Sequence, residues 1–281
     1  MTGRTRRVRR WASGGAALLM ATALAACGSD DDGDDAQASS ETSASETSES
    51  AAAADPAAFC EASVDLEGAF SLGPPIDETA PPEEQQAALE EFGATVEPLL
   101  ADVEENAPEE ISEDVDTAAG LVREALSGGD PSGLESPEFQ QADDAIDEYM
   151  LAECGFEQVE ATGVDFEYEG LPDSVPAGVV AVTLTNEGTE LHEIGIARIN
   201  DDVTDPIEAL LTLPEEEVFS KLELKGVTVV EPGQSETTFL RMDAGRYGAA
   251  CFIPEGTMST EMPGMGAPHF TMGMFAEFTA E

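Results

Sequence analysis

The sequence predicts a multidomain chain in which an N-terminal α-helical bundle is followed by an all-β Greek-key sandwich. Three observations carry that class. Residues 57–155 contain four stretches with apolar residues at helical spacing. From Glu157 onward the hydrophobic period drops to two. Turn clusters such as NEG, EPGQ and DAG then divide the last 120 or so residues into about seven short strands.

The helices come first. Asp55-Pro56 supplies a cap and first turn for a helix through Phe59, Val64, Leu66 and Phe70. Pro81 to Val103 carries Leu89, Phe92, Val96, Leu99 and Leu100 at helical spacing, and Pro98 inside it predicts a kink or a split. Ile111 to Leu126 repeats the pattern with Val115, Leu121 and Val122 and stops at Gly128-Gly129. After the break SGGDPSG, Pro137 to Glu153 continues with Phe139, Ala145, Ile146, Tyr149 and Met150. Short connections between four such segments predict antiparallel packing.

The strands follow. Val164, Phe166 and Tyr168 alternate with acidic residues, and Val179 to Thr185 is a β-branched run. Leu191, Ile194, Ile196 and Ile199 form the next strand; Val227–Val230, Thr237–Met242, Tyr247–Ile253 and Met272–Phe278 complete the set. Between the third and fourth strands, Asp205 to Leu222 reads as a helical insertion, with Ile207, Leu210, Leu211, Val218 and Phe219 carrying the pattern. Its run Glu215-Glu216-Glu217 reads as a solvated face.

Ahead of both domains, residues 1–26 read as an export signal. Five arginines between Arg4 and Arg10 precede an apolar stretch too short to favour a spanning helix. The stretch ends in Leu24-Ala25-Ala26-Cys27-Gly28, which resembles the lipobox of bacterial lipoproteins. The resemblance implies that Cys27, acylated with palmitate, is the first residue of the mature chain. It also implies a lipid-anchored protein on the extracytoplasmic face of the cell membrane. The arginine pairs raise twin-arginine export, although the apolar residues expected after such a pair are missing. Residues 27–56 are an acidic linker with little to bury, kept extended by its own charge.

The formal charge is −49, and removing the five arginines of residues 1–26 leaves a mature chain near −54. That balance excludes nucleic acid as a partner and argues against docking on anionic lipid through the protein surface. It favours solubility and cationic partners.

The chain has four cysteines. With Cys27 assigned to lipid, Cys60 in the first helix and Cys154 at the end of the fourth are left to pair in a disulfide-permissive compartment. Cys251 is then the odd thiol, either a buried strand cysteine or a metal ligand.

The chain has only two histidines, His192 in TNEGTELHEIGI and His269 in HFTMGM. An early histidine, then Cys251, His269 and Met274, is the ligand set and order of a blue-copper site: two imidazoles, a thiolate and a weak axial thioether. The segments around them resemble the cupredoxin family over roughly the last 120 residues. NEGTELHEI is similar to the family's strand that opens with N-x-G and delivers the first histidine. EPGQSETTFLRMDAGRYGAAC is similar to its P-G turn, strand, G-x-Y and cysteine, and HFTMGM to its H-x-x-x-G-M ending. The resemblance implies that residues 157–281 form a cupredoxin-like sandwich holding one copper ion through His192, Cys251, His269 and Met274. The long segment Pro254 to Pro268 departs from the small cupredoxins, where cysteine and second histidine sit a few residues apart. Met272 and Met274 fall on one face of a strand by period two, and the family's G-M pair selects Met274.

No phosphate loop and no Ser-His-Asp arrangement is recognisable, and two histidines are too few for a multicopper oxidase. The chain therefore reads as a binding or electron-carrying protein rather than an enzyme. Three roles fit: a copper lipoprotein in electron transfer or copper handling with a redox or copper-transfer protein partner; a metal-free cupredoxin-like binding or structural protein of the envelope; and a Cu(I) buffer using Met258, Met262 and Met265 in the loop MSTEMPGM.

Overall fold

The structure is a computed structural model that describes residues 55–71, 73, 80–128, 131–260 and 262–281. These residues fall in one compact unit, Ser50–Glu281. The expected signal, the acylated Cys27 and nearly all of the acidic linker lie outside the described residues.

Helix α1 (Pro56–Ser71) begins where Asp55 Oδ1 accepts the Ala57 amide at 3.1 Å. Of the kink or split expected at Pro98, helix α2 (Pro82–Asn106) shows no split and runs through the proline. Pro98 and Ala94 are both solvent-exposed, so the Ala94 carbonyl that loses its amide partner to proline faces water. Helix α3 (Ser112–Gly128) leads through a 3-10 turn, Pro131–Glu135, into α4 (Pro137–Glu153). Ser136 Oγ caps α4 by accepting the Phe139 amide at 3.2 Å. Successive helices pack on one another, and a disulfide joins Cys60 of α1 to Cys154 just beyond α4.

The strands are β1 (Glu157–Val164), β2 (Glu167–Glu169), β3 (Ser174–Val175), β4 (Gly178–Asn186), β5 (His192–Ile199), β6 (Leu222–Val230), β7 (Ser235–Met242), β8 (Gly245–Ala250) and β9 (Phe275–Ala280). They form two sheets, ordered β2-β1-β4-β7 and β3-β9-β8-β5-β6. The inner faces meet in a core that includes Val180, Val182, Leu184, Ile194, Ile196, Leu240 and Tyr247. The opposite face of β4 and β7 is buried as well. Ala181 and Phe239, a cross-strand pair, pack with Phe59, Cys60 and Tyr149 of the helices. The first half of strand β4, Val179 to Val182, is apolar on both faces because both are covered there. Strand β7 is the edge of its sheet, and α1 masks it: Glu67 Oε1 accepts the Phe239 amide at 2.9 Å and the Thr238 hydroxyl at 2.6 Å.

Several sequence expectations change at this level. The alternating Val164, Phe166 and Tyr168 are not one strand but a hairpin, with Asp165 and Phe166 turning at φ 41° and 72°. A two-residue turn with positive φ at both positions normally pairs Asn or Asp with Gly; Asp165 suits the first position, and Phe166 in place of glycine hid the turn. The insertion is two short helices, α5 (Ile207–Leu210) and α6 (Glu215–Lys221), parted before Pro214. Strand β6 starts five residues earlier than expected, at Leu222. Strand β8 stops at Ala250, and β9 starts only at Phe275, because residues 251–274 serve the site described next.

Candidate metal centre

Three of the expected donors come from one end of one sheet. β5 lies beside β8 and β8 beside β9, each pair antiparallel. The start of β5, the end of β8 and the start of β9 therefore meet. His192 opens β5, Cys251 follows β8, and Met274 precedes β9. The pairing continues one step past the strands, where the Cys251 amide donates to the Met274 carbonyl at 3.1 Å.

His269 lies eighteen residues beyond Cys251, and the base of the intervening loop explains its return. Pro254 and Pro268 form an antiparallel bridge, the Glu255 amide donates to the Ala267 carbonyl at 2.9 Å, and the His269 amide donates to the Ile253 carbonyl at 2.9 Å. The bridge pinches off the excursion, so the loop's length does not separate its ends. Inside it, the buried Thr257 accepts the Gly264 amide at 2.8 Å, and the Leu191 amide donates to the Thr257 carbonyl at 2.8 Å, tying the loop to the start of β5. His269 opens a 3-10 turn, His269–Met272, that closes on Gly273 at φ 118°. At this φ glycine is favoured, and the Met274 amide turns back to the His269 carbonyl at 3.2 Å.

His192, Cys251 and His269 are all buried, and their donor atoms lie within 4.8 Å of one another. His269 Nδ1 stands 3.2 Å from His192 Nδ1 and 3.4 Å from Cys251 Sγ. Met274 is fully buried. At Gly163 of β1, an added Cβ would stand 3.1 Å from the Met274 methyl carbon and 3.2 Å from His192 Cδ2, so the thioether and the first imidazole meet over this residue. Met272 is 38% exposed in the 3-10 turn, whereas Met274 is buried. The expectation that both methionines share a strand face is thus corrected, because Met272 is not in a strand.

Several residues that spacing alone did not reveal hold these donors. The Asn186 side chain, fully buried, donates to the carbonyls of Glu190 and Val230 at 2.8 Å and accepts the Gly188 amide at 2.9 Å. This shapes the turn before His192 so closely that a Cβ on Gly188 would stand 2.6 Å from His192 Nε2. Glu190 Oε2 lies 3.3 Å from His269 Nε2 and accepts the Gly256 amide at 2.6 Å. A carboxylate on the outer nitrogen orients the ring with Nδ1 inward. Phe166 covers the same ring, centroids 4.6 Å apart, from its positive-φ turn position. The Glu193 amide donates to Cys251 Sγ at 3.4 Å, while its carboxylate accepts the Phe252 amide at 2.7 Å. The NEG motif foreshadowed Asn186 and Gly188; Glu190, Phe166 and Gly163 carried no signal of their own.

Burial decides the protonation states. It pushes the Cys251 thiol up to about 12 although the Glu193 and Ile253 amides work against it. It holds His192 down at about 4, with His269 beside it acting in the same direction. It also lowers His269, which Glu190 partly offsets. At neutral pH the site is therefore two neutral imidazoles and a thiol, and a metal ion must displace one proton to gain the thiolate. Two imidazoles, one soft sulfur ligand and a buried thioether make a donor set that fits one mononuclear copper ion. The three loop methionines differ: Met258, Met262 and Met265 are exposed by 48%, 60% and 101%, outside this group.

No protein-family model matches the chain, and no curated protein matches it. Among solved structures, the chain is similar to a dithionite-reduced auracyanin of Roseiflexus castenholzii: 21% identity, 44% of this chain and 96% of that one, TM-score 0.29. It is similar to auracyanin A, a "blue" copper protein of Chloroflexus aurantiacus: 14% identity, 45% of this chain and all of that one, TM-score 0.30. It is also similar to the multicopper oxidase McoA of Aquifex aeolicus: 16% identity, 45% of this chain and 30% of that one, TM-score 0.27. At TM-scores of this size the likenesses decide nothing about function, which rests on the donor geometry.

Proposed function

We propose that this chain is a copper-binding lipoprotein of the cell envelope. In this reading its Greek-key sandwich is of the cupredoxin type, the preceding helices form a bundle, and it carries electrons or copper rather than catalysing a reaction. The observation that carries the reading is the buried His192–Cys251–His269 group with Met274 beside it. Bound there, copper would supply a one-electron couple, with thiolate and thioether favouring the reduced ion and imidazole serving both states. The protein's part is to hold the donors still. Asn186 shapes the turn before His192, Glu190 orients His269, and the Pro254–Pro268 bridge sets its distance from Cys251. Burial of all three donors excludes water from the site.

The membrane anchor is supported by the lipobox at Cys27. Among the described residues no helix is long and apolar enough to cross a membrane. A redox or copper-transfer protein is the expected partner. Cu(II) added to purified protein is expected to give intense visible absorption that Cys251→Ser abolishes; a colourless complex unchanged by that substitution refutes the assignment. A colourless complex would leave Cu(I) buffering by the exposed Met258, Met262 and Met265, and no binding in either oxidation state would leave the metal-free scaffold. For the anchor, Cys27→Ala is expected to move the protein from the membrane to the soluble exported fraction. Equal partitioning of both forms overturns it.

A further inference from the structure

A cavity of about 320 Å³ lies among the four helices and is floored by β7 at Thr237. Most of its wall is apolar, with Leu66, Phe70, Leu100, Val115, Val122 and Met150 contributing. Three carboxylates join that wall: Glu67 from α1 and Asp143 and Asp147 from α4. No basic side chain is among the described residues lining it. The wall also includes Ser63, whose Oγ is buried and has no hydrogen-bond partner.

Acidic groups in an apolar wall are costly unless something positive compensates them. Here no basic side chain does so: Glu67 Oε1 accepts the Thr238 hydroxyl and the Phe239 amide, Asp147 is half-buried, and Asp143 is open to solvent on one side. We infer that this cavity binds an organic cation with an apolar body, an alkylammonium or similar amine. The apolar wall would cover its hydrocarbon, Glu67 and Asp147 would pair with its ammonium, and Ser63 Oγ would be free to accept one of its N–H groups. The volume is at the lower end of the range for small-molecule sites, roughly 300–1,000 Å³. This inference is independent of the copper site.

The protonation states agree with an absent countercharge. Burial raises Glu67 to about 7 and Asp147 to about 8, with Asp143, Asp144, Glu67 and Glu236 all adding repulsion at Asp147. A cation must meet these groups charged, so its binding is expected to tighten as pH rises from about 6 to about 9.

The test is calorimetric titration of the full chain at about 0.15 M salt, where exposed charges are well screened. The probe is n-octylammonium, with 1-octanol as its neutral counterpart and calcium ion as the inorganic one. Octylammonium is expected to bind at least tenfold tighter than octanol and to displace calcium from no site. In the Glu67→Gln/Asp147→Asn double variant that preference is expected to vanish while octanol binding persists. Equal affinity for octanol and octylammonium would show an apolar void without a charge site and overturn the inference. So would a preference that survives the double substitution, which would locate it on the acidic surface. Saturable calcium without octylammonium binding overturns it too. If the double variant fails to fold, the wild-type comparison of octylammonium with octanol and the single Asp147→Asn variant still decide.

Discussion

The donor end of the sandwich and the cavity among the helices both set polar groups against apolar walls, and they are finished in opposite ways. At the donor end nearly every polar atom is accounted for within the chain. Asn186 makes three side-chain hydrogen bonds, Glu190 serves both His269 and the Gly256 amide, and Glu193 brackets Cys251 from two sides. In the cavity, Ser63 Oγ has no partner and the carboxylates of Glu67, Asp143 and Asp147 face a wall with no cation. The difference teaches how rigidity and vacancy are read. A site whose supports are satisfied holds its geometry for a small ion. A site whose own charges are uncompensated depends on an occupant or on protons.

The comparison can be broken first from the helical side. The Cys60–Cys154 bridge closes a loop with a sequence separation of 94 residues on the side away from the donors. Replacing both cysteines with serine is expected to cost about 4.7 kcal/mol in denaturant unfolding by the chain-entropy model. The visible spectrum of the native copper-loaded protein should stay as it was. A spectrum that changes with the bridge would mean that the two regions are one mechanical unit.

The converse experiment strikes the donor end alone. Gly188→Ala places a methyl group where the His192 ring already stands, 2.6 Å from Nε2. Copper affinity is expected to fall about 30-fold, within the 10–100-fold range for disturbed supporting residues. Octylammonium binding should be untouched. Unchanged copper affinity, measured by competition with a chelator, would mean that the turn is softer than its hydrogen bonds imply.

The smallest expected effect sharpens the contrast in protons. Asp147 is raised from 3.8 to about 8, so the folded state holds its proton more tightly than the unfolded chain does. Stability should therefore fall as pH rises from about 4 toward 8. Asp147→Asn removes that titration. It is expected to flatten the dependence by about 1–2 kcal/mol between pH 5 and 8, a value discounted because solvent reaches the cavity. Equal slopes for variant and wild type in urea unfolding would show that the carboxylate is not buried in the folded protein.

Much of the architecture was legible because it is local. Four amphipathic stretches, a switch to period two at Glu157 and the Pro-Gly turns are properties of neighbours along the chain, and α4 begins and ends at the residues its pattern indicated. The structure has the Cys60–Cys154 bridge expected from assigning Cys27 to lipid and from the place of these two residues at the ends of the helical segment. What stayed illegible depends on partners far apart in sequence. The turn at Asp165-Phe166 has phenylalanine where glycine is expected, and that positive-φ phenylalanine is supported by a ring 103 positions away, that of His269. The unbroken course of α2 through Pro98 depends on that side of the helix facing water.

The sequence by itself determined which side chains were available for chemistry: two histidines, one cysteine left over and a methionine after the second histidine, in that order. Only the tertiary structure decided that they meet. The antiparallel neighbours β5, β8 and β9 put His192, Cys251 and Met274 at one sheet end, and the Pro254–Pro268 bridge removes the length of the loop from the path to His269. The same holds for the cavity. Glu67, Asp143 and Asp147 lie far apart in sequence or one turn apart on a helix, and only the packing of the helices brings them to one apolar wall, where Glu67 and Asp147 are partly desolvated. Residue type is a local property, whereas desolvation and convergence are properties of the packed chain.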